Sequence, residues 1–235
     1  MSNSYFEFKQ FRIGQDRCAM KVTTDACILG AYAPAPDEGT ILDIGSGTGL
    51  LALMLAQRTQ AIIDAVELDA SAFLQLEENI ETSKWKHRVQ AIHADIKNYE
   101  SQKKYDLIIC NPPFFSKQLQ SPTAEKNRAR HDVSLDADVL LHSVQRLLAP
   151  QGKFSVLIPY DRLNDFTRKA KLHQLQLSKQ LLIRTRPDKP FIRAILVFED
   201  EEVMKIETEI LSVKNESSEY SDFFHRLLRD FYLYL

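Results

Sequence analysis

The chain predicts an α/β fold, a Rossmann-like doubly wound sheet of seven strands that is mostly parallel with an antiparallel last strand. From residue 40 onward short apolar runs alternate with segments of helical periodicity, the pattern of a parallel sheet covered on both faces. A glycine-rich turn, Gly45-Ser46-Gly47-Thr48-Gly49, follows the first of those runs. The last two runs are joined only by the polar stretch 184–189, too short for a crossover and suited to an antiparallel hairpin.

Residues 5–22 alternate aromatic and polar types and read as a hairpin: Phe6, Phe8, Phe11 and Ile13 precede Gly14-Gln15-Asp16, and Cys18, Met20 and Val22 follow it. Thr23-Thr24-Asp25 supplies caps for a short helix that Pro34 and Pro36 end. Residues 1–38 thus form a leading hairpin-and-helix segment, and residues 39–235 the main domain. In that domain strands are expected at 41–44, 62–68, 89–93, 105–110, 153–158, 181–183 and 192–198. Helices are expected at 50–58, 70–83, 135–148 and near 161–172. Over 221–231, Phe223, Phe224, Leu227, Leu228 and Phe231 share one helical stripe and read as core packing.

With 235 residues, 44% of them hydrophobic and 26% charged, the chain can bury one substantial core. A formal net charge of −2 gives no global basic field, so any nucleic acid has to be met by a local patch. Cys18, Cys27 and Cys110 are odd in number and lack CxxC or zinc spacing, which fits a reducing compartment and suggests no metal site. Nowhere does an apolar stretch reach about 18 residues, and no leader-like pattern opens the chain. A cytoplasmic protein is expected.

Asn111-Pro112-Pro113-Phe114 ends the apolar run 105–110 and so stands at a strand's carboxyl edge, where open α/β sheets bind ligands. An Asn side-chain oxygen followed by a prolyl carbonyl is a stiff pair of acceptors, and the two prolines remove competing donors. A planar NH2 group can give one hydrogen to each, with Phe114 stacking on the ring that carries it. The same residues also suit a plain turn. The glycine turn allows close backbone approach to a nucleotide-like ligand at a helix N-terminus. Its spacing, Gly45, Gly47 and Gly49, differs from the G-x-G-x-x-G of dinucleotide sites, and Asp43 just before it favours a cationic ligand over a pyrophosphate. Glu67 closes the second strand at the place where an acid accepts from ribose hydroxyls, and Asp95 follows the third strand, placed for an adenine amino group.

In this order, Asp43-x-Gly45-x-Gly47-x-Gly49, Glu67, Ala94-Asp95 and Asn111-Pro112-Pro113-Phe114 resemble the motifs of class I S-adenosylmethionine-dependent methyltransferases that modify exocyclic or amide nitrogens. Residues 8–11, 16–22 and 50–58 and the terminal Phe231-Tyr232-Leu233 more closely resemble bacterial tRNA adenine-N6 methyltransferases acting on the adenine 3′ to the anticodon of a valine tRNA. The resemblance runs nearly end to end and is strongest in the first 115 residues. It implies the class I methyltransferase fold and S-adenosylmethionine as methyl donor, held by Asp43, Gly45, Gly47, Gly49, Glu67, Asp95 and Asn111. It further implies methylation of an adenine N6 by Asn111, Pro112 and Phe114.

For the RNA, Arg17 and Lys21 in the leading hairpin and Lys117, Lys126, Arg128, Arg130 and His131 after the Asn-Pro-Pro-Phe element make local cationic patches, with Phe115 as a second stacking ring. Arg184, Arg186 and Lys189 form another cluster. A base that must leave its stack makes a single-stranded or loop adenine of tRNA the expected partner. No membrane and no stable protein partner is implied. Three other readings use similar residues: a ribosomal RNA guanine-N2 methyltransferase, a protein glutamine-N5 methyltransferase, and a non-catalytic S-adenosylmethionine-binding module.

Overall fold

Side chains along the central strands alternate between two apolar layers. In β3 (Thr40–Ile44), Ile41 belongs to one buried cluster while Leu42 and Ile44 belong to the other. In β6 (Tyr105–Cys110), Leu107 and Ile109 oppose Ile108 and Cys110 in the same way. Both faces are therefore covered, which is why these strands read as continuous apolar runs.

The computed structural model describes residues 3–112 and 136–235. The sequence-derived positions Pro113, Phe114, Phe115, Lys117, Lys126, Arg128, Arg130 and His131 lie outside the described residues.

An antiparallel hairpin of β1 (Tyr5–Glu7) and β2 (Arg12–Gly14) precedes the sheet. Helix α1 (Thr24–Tyr32) follows, its first turn closed by Thr23 Oγ1, which accepts from the Ala26 amide at 3.2 Å. Strand β3 leads through the glycine turn to α2 (Leu50–Arg58) and β4 (Ile62–Glu67); α3 (Ala70–Glu81) and β5 (Val89–His93) come next. Beyond β6 lie α4 (Ala137–Leu147), β7 (Leu148–Pro159), α5 (Leu163–Leu172), β8 (Gln176–Arg184), β9 (Phe191–Glu199), β10 (Glu207–Ser212) and α6 (Asp222–Leu228). Helices α1, α2, α3 and α6 pack on one face and α4 and α5 on the other.

The sheet order is β10-β8-β9-β7-β6-β3-β4-β5. All seven expected strands are present, and β9 is the antiparallel one, between β7 and β8. An eighth strand, β10, runs parallel to β8 at the edge and was not anticipated. Its sequence hid it: Leu211 is the only residue of the strand that is buried, and Ile210 is half exposed. Ladder hydrogen bonds, not apolar burial, hold it there.

The leading hairpin turns earlier than the sequence pattern suggests: both of its arms lie before Gln15, its turn falls over residues 8–11 and not at Gly14-Gln15-Asp16, and Cys18, Met20 and Val22 form no strand. Beyond Gly14 the chain closes on itself through one side chain: Gln15 donates from Nε2 to the Asn3 carbonyl at 3.1 Å and accepts at Oε1 from the Val22 amide at 2.9 Å. At the other end of the chain the predicted aromatic stripe does pack inward. Phe224, Leu228 and Phe231 are buried in the same cluster as Phe8, Phe11 and Ile13, although the helix stops at Leu228.

Candidate active site

Strand register sets four loop starts at one level. Ile44, the last residue of β3, lies beside Val66 of β4 and Cys110 of β6; Val66 lies beside Ile92, and Cys110 beside Val156. The loops that begin at Gly45, Glu67, Ala94 and Asn111 therefore leave the same edge, from strands about 4.8 Å apart. Between β3 and β6 the winding reverses direction, the switch point at which doubly wound sheets bind ligands. Gly45 and Asn111, each following a paired residue, flank that point. Asn111 is half-buried and Pro112 buried.

The three glycines of the turn differ in what they do. All have positive φ, 68°, 55° and 80° for Gly45, Gly47 and Gly49, a region that L side chains enter only under strain. A Cβ on Gly45 or Gly47 meets nothing within 4 Å among the described residues, whereas one on Gly49 strikes Leu76 Cδ1 at 2.7 Å. Gly49 thus fits α2 against α3, while Gly45 and Gly47 face open space at the ligand edge.

Asp43 is fully buried beneath this turn. Its Oδ2 accepts from the Ala52 amide at 3.2 Å, and its Oδ1 has no partner among the described residues. Burial pushes its carboxyl up to about 7, against the pull of hydrogen bonding at Ala52 and Ser46 and with a further push from Glu67. Glu67 ties the end of β4 to the glycine turn: Oε2 accepts from the Gly47 amide at 2.7 Å, and Oε1 from the amides of Leu68 and Asp69 at 2.9 and 2.8 Å. One acceptor direction of Oε2 is left for a ligand. Asp95 Oδ1 accepts from the Lys97 amide at 3.0 Å, and Oδ2 makes no hydrogen bond among the described residues.

An orphaned buried carboxylate oxygen, two glycines opening on space and two further half-tied acids suit a ligand with a positive tail, a ribose and an adenine. S-adenosylmethionine has these parts, and the residues present fit it.

Asn79 was missed by the sequence reading. This buried side chain on α3 accepts from the Gly14 amide at 2.8 Å and donates to the carbonyls of Gly14 and Thr48 at 2.9 and 2.8 Å. It fastens the leading hairpin and the glycine turn to one helix. Its neighbour Gln75, also buried, accepts from the Arg17 amide at 3.3 Å. The signal was available: Gln75 and Asn79, four residues apart, interrupt the apolar stripe of Ala72, Leu76 and Ile80 on the inward face of α3. Leu68, half exposed directly after Glu67, is a second missed group, an apolar surface at the ligand edge. The half-buried Cys18 lies close enough to Glu67 and Asp69 for their charges, after burial itself, to push its thiol up to about 11. The stretch after the hairpin therefore passes near the Glu67 end of the edge.

The two cations assigned to RNA in the leading segment are engaged locally. Arg17 pairs with Glu78 at 3.0 Å, and Lys21 Nζ donates to the Asn3 carbonyl at 3.3 Å. Both are exposed, and exposed pairs hold weakly enough for a phosphate to compete.

A model of the methyltransferase small domain matches residues 20–158. A tRNA1(Val) (adenine(37)-N6)-methyltransferase of Dyadobacter fermentans is 45% identical over 235 residues, covering 98% of each chain. Another so named, from Pectobacterium carotovorum, is 41% identical over 234 residues, covering 98% of this chain and 94% of its own. Among solved structures, a predicted O-methyltransferase of Agrobacterium tumefaciens superposes with a TM-score of 0.68 at 15% identity, over 88% of this chain and 96% of that one. A class I S-adenosylmethionine-dependent methyltransferase from Listeria monocytogenes gives a TM-score of 0.59 at 14% identity, over 82% and 68%. These two likenesses bear on the fold alone, the doubly wound sheet already described, while the sequence matches extend over nearly the whole chain. The chain belongs to the methyltransferase small domain family.

Proposed function

We propose that the chain transfers a methyl group from S-adenosylmethionine to the exocyclic N6 of adenine 37, 3′ to the anticodon, in tRNA1(Val). The observation that carries this reading is the pairing of Ile44 with Cys110, which puts the acceptor pair of Asn111 and Pro112 beside the glycine turn. The near full-length relatives named for this reaction support the choice of nitrogen and of RNA.

When bound, S-adenosylmethionine supplies a methyl group that is electrophilic because it sits on a sulfonium. Asp43, Gly45, Gly47, Gly49, Glu67, Asp95 and Asn111 would hold it. The work left to the chain is on the amine. Adenine N6 is a poor nucleophile because its lone pair is delocalised into the ring. Asn111 Oδ1 and the Pro112 carbonyl each accept one N6–H, which localises the pair, aims it across the switch point and stabilises the positive charge that develops on nitrogen. Both acceptors sit at the end of a buried strand, so they are in position before the base arrives. The methylated amine gives its proton to water, and no strong base is required. Phe114, with Phe115, stacks on the base, while Lys117, Arg128 and Arg130 contact phosphates.

In this reading residues 1–38 form the entry segment, residues 39–235 carry the chemistry, and the partner is tRNA in the cytoplasm. Among the described residues no helix is long and apolar enough to cross a membrane. The test is to incubate the protein with labelled S-adenosylmethionine and bulk tRNA, ribosomal RNA or a release factor, then digest and identify the methylated unit. N6-methyladenosine from tRNA is expected. Label on guanine N2, on glutamine or on nothing overturns the proposal.

A further inference from the structure

The sheet edge continues past Asn111 into a surface that no step above uses. Strand β7 lies directly beside β6, and its last residue, Pro159, pairs with Arg193 of β9. Tyr160 follows at once, 39% exposed, and its ring stands 5.2 Å from that of Phe191, the first residue of β9, at an interplanar angle of 48°. Across the ladder, Arg184 at the end of β8 pairs with Phe191 and sets its guanidinium 5.5 Å from the same ring. The ends of β7 and β8 and the start of β9 thus lie on the side of the sheet that carries Asn111, one to three strands across from it and, because β7 runs on from Val156 beside Cys110 to Pro159, about three residues further out.

Tyr160 is exposed and Phe191 half-buried, so the pair offers aromatic surface at the rim. The Tyr160 hydroxyl makes no hydrogen bond among the described residues, so hydrogen bonding does not account for its position. The ground around the rings is cationic. Arg186 and Lys189 share one carboxylate, Asp188, at 3.3 and 3.1 Å, and Arg193 pairs with Asp25 at 3.2 Å. With Arg184, and with Asp161 and Arg162 directly after Tyr160, five cations face three acids in a chain whose overall charge is −2. Aromatic faces flanked by arginines are the arrangement that holds unpaired bases by stacking while cations track the phosphates.

We propose that Tyr160, Phe191 and Arg184 form a stacking ledge for a nucleotide that flanks the target adenine in the single-stranded loop. The ledge rests on the tRNA reading above and adds to it how the loop is held open beside Asn111. Its ligand is an unpaired nucleobase with its phosphates, recognised without regard to base identity because every base has a stacking face.

The test uses the full chain, tRNA1(Val) and S-adenosylmethionine. In a Tyr160→Ala/Phe191→Ala double variant, KM for tRNA is expected to rise by about 5- to 150-fold, the range for losing one stacked base. Its calorimetric affinity for S-adenosylmethionine is expected to stay at the wild-type value, and the aromatic exchanges Tyr160→Phe and Phe191→Tyr to retain wild-type KM. Ultraviolet cross-links from bound tRNA to the wild-type chain are expected on Tyr160 or Phe191. An unchanged KM in the double variant, or cross-links confined to other peptides, overturns the ledge. If the double variant melts early, Tyr160→Leu at the exposed position carries the same measurement. A wild-type chain that methylates no tRNA adenine defeats the earlier reading instead, and one that does so while the double variant matches it defeats the ledge alone.

Discussion

The two halves of the ligand edge are built on different plans. On the β3–β4–β5 side every acid is tied to nearby backbone: Asp43 to Ala52, Glu67 to Gly47, Leu68 and Asp69, Asp95 to Lys97. On the β6–β7–β9 side the groups at the rim, Asn111, Tyr160 and Phe191, stand at or just past strand ends and are partly or fully exposed. The first half is fixed before any ligand arrives, because its side chains also hold the loops together. The second is where rate and recognition can be altered with little disturbance to the frame.

The strongest way to break this contrast is Asn111→Ala. Methyl transfer is expected to slow by roughly 10²–10³-fold, the scale for removing one preorganised polar group from a transition state. Single-turnover rates measure it, and calorimetry is expected to show S-adenosylmethionine binding nearly unchanged. Glu67→Ala reverses the emphasis. It removes a charged acceptor from three amides as well as from the ligand, at about 1.5–3 kcal/mol for a charged hydrogen bond, so cofactor affinity is expected to fall by about 10- to 100-fold along with thermal stability. A Glu67→Ala protein with wild-type affinity and melting temperature refutes the shared role.

Asn79→Ala sharpens the comparison from outside the edge. It strands the Gly14 amide and the Thr48 carbonyl, and about 1–3 kcal/mol of stability is expected to go, read as a drop in melting temperature by several degrees. Weaker S-adenosylmethionine binding is expected to accompany it, because Thr48 belongs to the glycine turn. The smallest effect is a pH dependence at Asp43. Its carboxyl binds a proton more tightly in the folded chain than the ordinary value of 3.8 allows, up to about 7. Its contribution to the ligand-free protein's stability is therefore present below about 4 and lost as pH rises through about 7. Cofactor affinity runs the other way, rising roughly tenfold across that range as a carboxylate forms beneath a cationic ligand, at about 1.4 kcal/mol per pKa unit moved. Denaturation and calorimetry between pH 5 and 8 are expected to show both slopes in the wild type and neither in Asp43→Asn.

The parts legible in the sequence were those whose signal is local. The run Leu107-Ile108-Ile109-Cys110 is apolar at every position because both of its faces are buried, so it reads as a central strand in any context. The glycine turn declares itself because positive φ selects a residue type. By contrast β10 carries one buried residue in six, and no periodicity marks it. The segment after Gly14 alternates like a strand, yet Gln15 closes it into a loop.

Composition and motif order by themselves determined the layering of the sheet, the acids and glycines at its carboxyl edge and the place of Asn111-Pro112 at a strand end, because a buried parallel strand and a glycine turn each constrain their own residues. The tertiary structure alone decided which of those ends are neighbours, that Asn79 joins the hairpin to the glycine turn, and that Tyr160 and Phe191, 31 positions apart, meet at the rim. Such pairings are fixed by register and packing between distant segments, and no short window of sequence contains both partners.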